Sequence, residues 1–290
     1  MKQMVVLSGK GGTGKTTVLA SFASLARDKV LADCDVDAAN LYLLLHPEKE
    51  TREAFFGAKI AMRHAERCTR CGECERRCRF GAITVETVRA ANCEGCGLCV
   101  LACPRGALEL QTVVSGWLYT GSTAKGPLVH ARLRPGGESS GRLVTRVRQQ
   151  SEDLALREGH SLILLDGPPG IGCTATASLV DTDLAVMVTE PSLSGMYDLA
   201  RVVELAQQLQ IPVAAIINKA DINRENSAAI EAYCEGQGIP VLASLPFDEV
   251  VVAANAAQVP LVEYDDGPVA QGLREAWEQL EVTLGKAATE

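Results

Sequence analysis

The chain has 290 residues, a formal net charge of −8 and eleven cysteines. That length can bury one large core with room for a small second module, and the negative balance argues against a general nucleic-acid-binding or membrane surface. Eight of the cysteines fall within residues 68–103, a clustering that means metal ligation rather than a scattered disulfide framework.

Met1-Lys2-Gln3 runs directly into an apolar stretch, without the long apolar region and small-residue cleavage site of a signal peptide. No apolar run approaches the ~20 residues of a membrane span. The expectation is a soluble, cytoplasmic protein, where thiolates stay reduced.

Residues 3–8 read as a buried strand. The next segment is Gly9-Lys10-Gly11-Gly12-Thr13-Gly14-Lys15-Thr16-Thr17, followed by a helical stretch over 18–27. This is G-x-x-x-x-G-K-[ST] between a strand and a helix, the context that gives the motif its meaning. Its glycines let backbone N–H groups turn inward on phosphates, and the helix N-terminus adds positive charge. Lys15 should reach the β- and γ-phosphates, and Thr16 should hold Mg²⁺.

The fuller run Lys10-Gly-Gly-Thr-Gly-Lys-Thr-Thr17 resembles the deviant phosphate loop of the MinD/ParA ATPase family, which includes the nitrogenase iron protein and the Mrp-type cluster carriers. The resemblance implies an ATP-sandwich homodimer in which Lys10 acts on the partner's nucleotide. The next apolar strand ends in carboxylates, Asp33-Cys34-Asp35-Val36-Asp37. It is similar to the family's first switch, which implies that Asp35 orients the attacking water. Asp33 reads as orienting the strand end, Asp37 as helping to start a helix over 38–45, and Cys34 as a small buried residue.

Residues 46–58 read as a connector. An insert then runs over 59–110, leaving 1–58 and 111–290 as the nucleotide-binding domain. It holds two cysteine ladders, Cys68-Cys71-Cys74-Cys78 and Cys93-Cys96-Cys99-Cys103, each spaced C-x2-C-x2-C-x3-C. Each ladder is followed by Gly-Ala and a short alternating strand, so the insert is an internal repeat. The pattern resembles bacterial ferredoxins with two tetranuclear clusters. There the fourth cysteine of each ladder ligates the other cluster. The resemblance therefore implies one [4Fe–4S] cluster on Cys68, Cys71, Cys74 and Cys103, and another on Cys93, Cys96, Cys99 and Cys78. Pro104 follows the second ladder as in the family pattern, whereas Arg79 follows the first. Zinc favours paired cysteines around one ion, and two complete ladders do not fit that pattern.

The first ladder is bordered by Lys59, Arg63, Arg67, Arg70, Arg76, Arg77 and Arg79 against Glu66, Glu73 and Glu75. Such a basic surround would favour a reduced cluster or dock an acidic electron carrier; a solvated surface is the alternative. Residues 111–140 read as β-rich, with Trp117 and Tyr119 packing and 134–141 as a loop; His130 reads as a structural residue, with a cluster neighbour or proton relay as the alternatives. A helix is expected over 142–158.

The apolar strand beginning at Ser161 ends in Asp166-Gly-Pro-Pro-Gly170, which resembles the Mrp-type motif. The resemblance makes Asp166 the second metal-site carboxylate, acting through Mg²⁺-bound water, and makes 167–172 a second switch sensing the γ-phosphate. Cys173 lies where the iron protein places a cluster ligand. It reads either as a ligand to a further, shared or transient centre, or as a buried or redox-sensitive thiol.

Thereafter strands at 183–189, 212–217 and 239–244 alternate with helices at 196–209, 225–235 and 268–284. This alternation implies an α/β fold: a mostly parallel P-loop NTPase sheet with helices on both faces, carrying the ferredoxin-like insert. Cys234 reads as structural. Asn218 stands where the MinD/ParA family reads adenine, and backbone near Pro246 would cover the base. Asn218-Lys219-Ala220-Asp221 also fits the guanine-reading N-K-x-D pattern, so ATP is the expected nucleotide and GTP the alternative.

The functional expectation is an ATPase whose nucleotide state is coupled to electron transfer through two clusters. Its partner would be a redox protein or a metallocluster client. Cluster assembly or carriage is a second reading, and a redox-sensing, ParA-like positioning switch a third. The C-terminal helix lacks a basic face, so neither membrane nor nucleic-acid binding is expected.

Overall fold

The computed structural model describes residues 1–134 and 141–286, so the loop expected over 134–141 lies largely outside the described residues. In chain order, β1 (Lys2–Ser8), α1 (Lys15–Leu25), β2 (Lys29–Asp33), α2 (Leu41–Leu45) and β3 (Glu48–Phe55) come first. They are followed by β4 (Ala58–Arg63), α3 (Glu73–Arg77), α4 (Leu98–Ala102) and β5 (Leu108–Val113). Next are β6 (Gly116–Thr123), β7 (Gly126–Leu133), α5 (Gly141–Glu158), β8 (Leu162–Pro169) and α6 (Cys173–Leu179). The alternation closes with β9 (Leu184–Thr189), α7 (Leu193–Gln208), β10 (Val213–Ile217), α8 (Arg224–Gly236) and β11 (Val241–Ser244). Three helices end the described chain, α9 (Val250–Ala256), α10 (Leu261–Tyr264) and α11 (Pro268–Lys286).

The chain divides into two units. The larger comprises residues 1–52, 118–131 and the described part of the chain from Gly141 onward. Its sheet has the order β11-β10-β9-β1-β8-β2-β7-β6-β3. Every pair from β11 across to β7 is parallel. Strands buried on both faces read as continuous apolar runs, and Met4–Leu7, Ile163–Leu165 and Leu184–Val188 do so.

α1 buries Val18, Leu19, Phe22 and Ala23. The Phe22 ring lies 5.3 Å from that of Trp277 on α11, centroid to centroid. α5 is amphipathic and buries Leu143, Val144, Val147, Leu154 and Ala155 at helical spacing. From its buried face, the Arg148 guanidinium donates to the carbonyls of Ala177 and Val180 and to Gln3 Oε1. It thereby satisfies carbonyls that the end of α6 leaves without helical partners.

Three expectations change. Residues 48–55, read as connector, form β3 at the sheet edge. The helix expected over 38–45 begins only at Leu41. Asp37 does not start it; the buried Asp33 carboxylate does, accepting from the N–H groups of Asn40 and Leu41 at 3.1 Å each. α9 and α10 were not anticipated, because each is under two and a half turns and too short to show a period.

The second unit comprises residues 53–117 with the described residues 132–134. β4 and β5 pair antiparallel from Ala58↔Val113 to Arg63↔Leu108. Between them lie α3, α4 and an isolated bridge between Ile83 and Val88. The apolar residues buried between 53 and 117 are Ala61, Ala82, Ile83, Ala107 and Leu108. So small a core is far below what holds a unit of this size without a staple.

Phe22→Ala should lower the unfolding free energy of the larger unit by about 3–5 kcal/mol. Urea titration followed by Trp277 fluorescence in a Trp117→Phe background measures it, and a loss under about 1 kcal/mol would contradict the packing described.

Candidate functional site

The glycine-rich loop connects β1 to α1. Gly14 immediately precedes α1 with φ 97°, in the left-handed region. A Cβ there would stand 2.5 Å from Asn218 Nδ2, so both backbone and space call for glycine. α1 directs its N-terminal N–H groups at the loop, the arrangement that binds phosphate.

The Lys15 ammonium lies 3.0 Å from Asp166 Oδ1 and 3.3 Å from Asp35 Oδ2. The Thr16 hydroxyl donates to Asp166 Oδ2 at 2.8 Å. Parallel pairing sets this up, because Asp33 and Asp166 are register partners near the C-terminal ends of β2 and β8. Ligands of open α/β sheets bind at that end.

Asp33 and Asp166 are fully buried. Burial raises both carboxyls above the ordinary range. The charge of Asp166 raises Asp33 further. Burial pulls the Lys15 ammonium down, but Asp166, Asp35 and Asp33 outweigh it and leave its pKa raised. Beyond burial, the charge–charge part of these shifts reflects a surplus of carboxylates around a single cation. A divalent cation would balance that surplus, and Thr16 with Asp166 supplies the hydroxyl and carboxylate that Mg²⁺ takes alongside phosphates and water.

Asn218 Nδ2 donates to Thr13 O at 2.8 Å, and Lys219 Nζ to Gly12 O at 3.4 Å. Asp221 Oδ1 accepts from Phe247 N at 2.7 Å, and Ala220 N donates to Leu245 O at 2.8 Å. The loops bearing Asn218 and Pro246 are thus tied to each other, and the first is tied to the phosphate loop. Thr17 turns away, with its hydroxyl 3.3 Å from Asn255 Oδ1 on α9. Lys10 forms an ion pair with Glu190 of its own chain. Sequence reasoning gave Glu190 no role. A single glutamate after a strand carries no motif, and only the fold brings it to Lys10.

In the second unit, Cys68, Cys71, Cys74 and Cys103 line one cavity. Cys78, Cys93, Cys96 and Cys99 line another. Each cavity therefore draws three thiols from one ladder and the fourth from the other. The two halves fold alike: Gly72 and Gly97 precede α3 and α4 with φ of 77° and 76°. Cys78 and Cys103 end those helices at φ −79° in both cases, with ψ of 106° and 109°. Arg79 in place of proline leaves that geometry unchanged.

Backbone N–H groups point at three of the sulfurs: Ala61 at Cys93 (3.4 Å), Ala82 at Cys78 (3.4 Å) and Ala107 at Cys103 (3.2 Å). Such donors stabilise thiolate charge. Among the described residues, no group of three or more His, Cys, Asp or Glu is arranged to hold a single metal ion. The thiols surround cavities instead. Four thiolates, amide donors and a unit with little apolar core together fit a bound iron–sulfur cluster at each cavity.

Much of the basic surround is internally engaged. Arg76 and Arg77 donate to Glu73 at 2.7 and 3.2 Å, Arg70 pairs with Glu86 at 3.4 Å, and Arg63 donates to backbone carbonyls of residues 84–86. Cys173 begins α6 and is exposed, which removes the buried-thiol reading. Cys34 and Cys234 are buried, and burial pushes the Cys234 thiol up to about 11. His130, fully buried, stacks between Tyr42 and Tyr119 at 5.3 and 5.0 Å, with Nε2 2.6 Å from Glu50 Oε1. The ring is thus held by stacking and by the Glu50 carboxylate, within the larger unit. Among the described residues, no helix is long and apolar enough to cross a membrane.

Comparison with known proteins bears on the larger question. A family model described as the CobQ/CobB/MinD/ParA nucleotide binding domain matches residues 4–261. An uncharacterised protein of Methanocaldococcus jannaschii is 30% identical over 282 residues, which is 96% of each chain. An iron–sulfur cluster carrier protein of Pyrococcus horikoshii is 25% identical over 296 residues, covering 96% of this chain and 85% of its own. The solved structure of the septum site-determining protein MinD of Pyrococcus horikoshii, complexed with Mg-ADP, has the same fold. It superposes with TM-score 0.61 at 19% identity, over 96% of this chain and 95% of that one. With its phosphate loop, its paired strand-end aspartates and a family match over most of its length, this chain belongs to the CobQ/CobB/MinD/ParA nucleotide-binding family and is a P-loop ATPase of the MinD/ParA superfamily.

Proposed function

We propose that this ATPase couples its nucleotide state to electron transfer through two [4Fe–4S] clusters held by residues 68–103. The observation that carries the reading is the exchange of the fourth thiol between ladders, with Cys103 lining the first cavity and Cys78 the second. That exchange is the ligand pattern of two-cluster ferredoxins. Such clusters, when bound, each accept and release one electron.

The chain's own residues supply the nucleotide half. Loop N–H groups and Lys15 bind the phosphates, Thr16 and Asp166 hold Mg²⁺, and Asp35 orients the attacking water. Lys15 exchanges its contacts with Asp35 and Asp166 for phosphate, so nucleotide binding loosens carboxylates attached to both switches. Lys10 acts on the partner's nucleotide in a homodimer. Asn218 and the backbone near Pro246 border an adenine. Coupling requires that nucleotide bind two conformations unequally, and the electron acceptor is a redox protein.

Carriage of a further cluster is the second reading. Relatives named as iron–sulfur cluster carriers favour it, together with the exposure of Cys173 beside the second switch. An iron content unchanged in Cys173→Ala, after anaerobic reconstitution of the dimer, would sink this version.

Reconstituted wild type should hold about eight irons per chain. Cys103→Ala should alter the same EPR signal as Cys68→Ala, and Cys78→Ala the same signal as Cys99→Ala. The opposite grouping would refute the ligand exchange. Asp35→Asn should cut phosphate release by about 10²-fold while Mg-ATP binding by calorimetry is retained. Loss of binding instead would make Asp35 structural. Coupling itself is read by EPR under ATP, ADP and no nucleotide, with turnover compared between reduced and oxidised protein. If neither quantity responds to the other ligand state, the coupling fails.

A further inference from the structure

Glu190 follows the last residue of β9, at the mouth of the phosphate loop. Its position is fixed from several sides. Asn218 N donates to Thr189 O at 2.8 Å, Ser192 N donates to Glu190 O at 2.7 Å, and Asn226 Nδ2 donates to Pro191 O at 3.2 Å. Its carboxylate is mostly covered, with 19% of the side chain exposed, and it faces two ammonium groups. One is Lys10, with which it pairs directly. The other is Lys219, at 3.6 Å, which itself donates to Gly12 O.

Both cations belong to the rim of a site whose ligand is polyanionic. A carboxylate anchored between them is an anion already in the place where phosphate charge is attracted. The carboxyl is held below its ordinary range, first by the Lys10 hydrogen bond, so it is charged at neutral pH.

We propose that Glu190 is a positioning residue of the nucleotide site: it parks Lys10 in its own chain and competes with nucleotide phosphate for Lys10 and Lys219. The proposal deepens the triphosphate-site reading and rests on it, and it is independent of what the cysteines hold. Removing the negative charge has two consequences. The rim gains positive potential, so Mg-ATP binds more tightly. Lys10 is released, so most of the gain depends on Lys10 being present. A residue that merely braced the loop would give the opposite sign, because losing a brace weakens binding.

The test is calorimetric titration of the full chain with Mg-ATP. Glu190→Gln should bind about five-fold more tightly than wild type, the scale of a partly exposed ion pair. In a Lys10→Ala background the same substitution should give a smaller gain, about two-fold, because Lys219 alone is then freed. Should the glutamine variant fold poorly by circular dichroism, Glu190→Asp keeps the charge but shortens the reach, and it should show a smaller gain in the same direction. Unchanged or weaker binding by a folded Glu190→Gln overturns the proposal, as does an equal gain without Lys10. A Lys15→Ala control separates the two levels. Lost binding there upholds the phosphate-site reading whatever Glu190 does, whereas binding equal to wild type overturns both.

Discussion

The nucleotide-binding unit depends on an electrostatic imbalance it cannot resolve alone. Asp33, Asp35 and Asp166 surround one ammonium, and two of the three carboxylates are fully buried. Burying unbalanced charge is costly. The fold tolerates it because Asp33 spends its oxygens on the N–H groups of Asp35, Asn40 and Leu41, and because Asp166 takes both Lys15 and the Thr16 hydroxyl. What remains is an appetite for a divalent cation at the sheet's C-terminal end. Asp33 thereby links the site to the chain around it: the carboxylate that contributes to the charge surplus also starts α2.

The second unit meets a different constraint. Its buried apolar residues are few and mostly alanines, so side-chain packing alone gives it little reason to hold one shape. On the proposed function, clusters bound by the cysteines, with the left-handed glycines before α3 and α4 and the amide donors aimed at sulfur, would supply the specification that a core otherwise provides. This agrees with metal binding being folding free energy in small units of this kind.

Much of this was legible in the sequence. The phosphate loop announces itself because glycine, lysine and threonine at fixed spacing have few other uses between a strand and a helix. Asp35 and Asp166 were legible because apolar runs end in them. The ladders were legible from spacing, and each of the two cavities is lined by thiols of both ladders. Other features lay in pairings that no local pattern encodes. Glu190 meets Lys10 across 180 residues of chain. Asp33 reaches forward to cap α2, which made Asp37 look like the initiator. β3 was hidden because Glu48–Phe55 is largely exposed and charged, so it lacks the alternation that marks a half-buried strand. The basic border of the first ladder looked like a uniform field in one dimension, yet in three dimensions Arg70, Arg76 and Arg77 are engaged by Glu86 and Glu73 and Arg63 by backbone carbonyls.

The sharing of thiols between ladders has a consequence for how the second unit can be divided. α3 carries Cys74 for one cavity and ends at Cys78 for the other, and α4 does the same with Cys99 and Cys103. The halves are repeats in sequence but not separable parts. A cut anywhere between residues 78 and 93 leaves each fragment with three thiols of one cavity and a stray fourth belonging to the other. Neither half therefore carries a full set of four thiols for one cavity, and only the pair does.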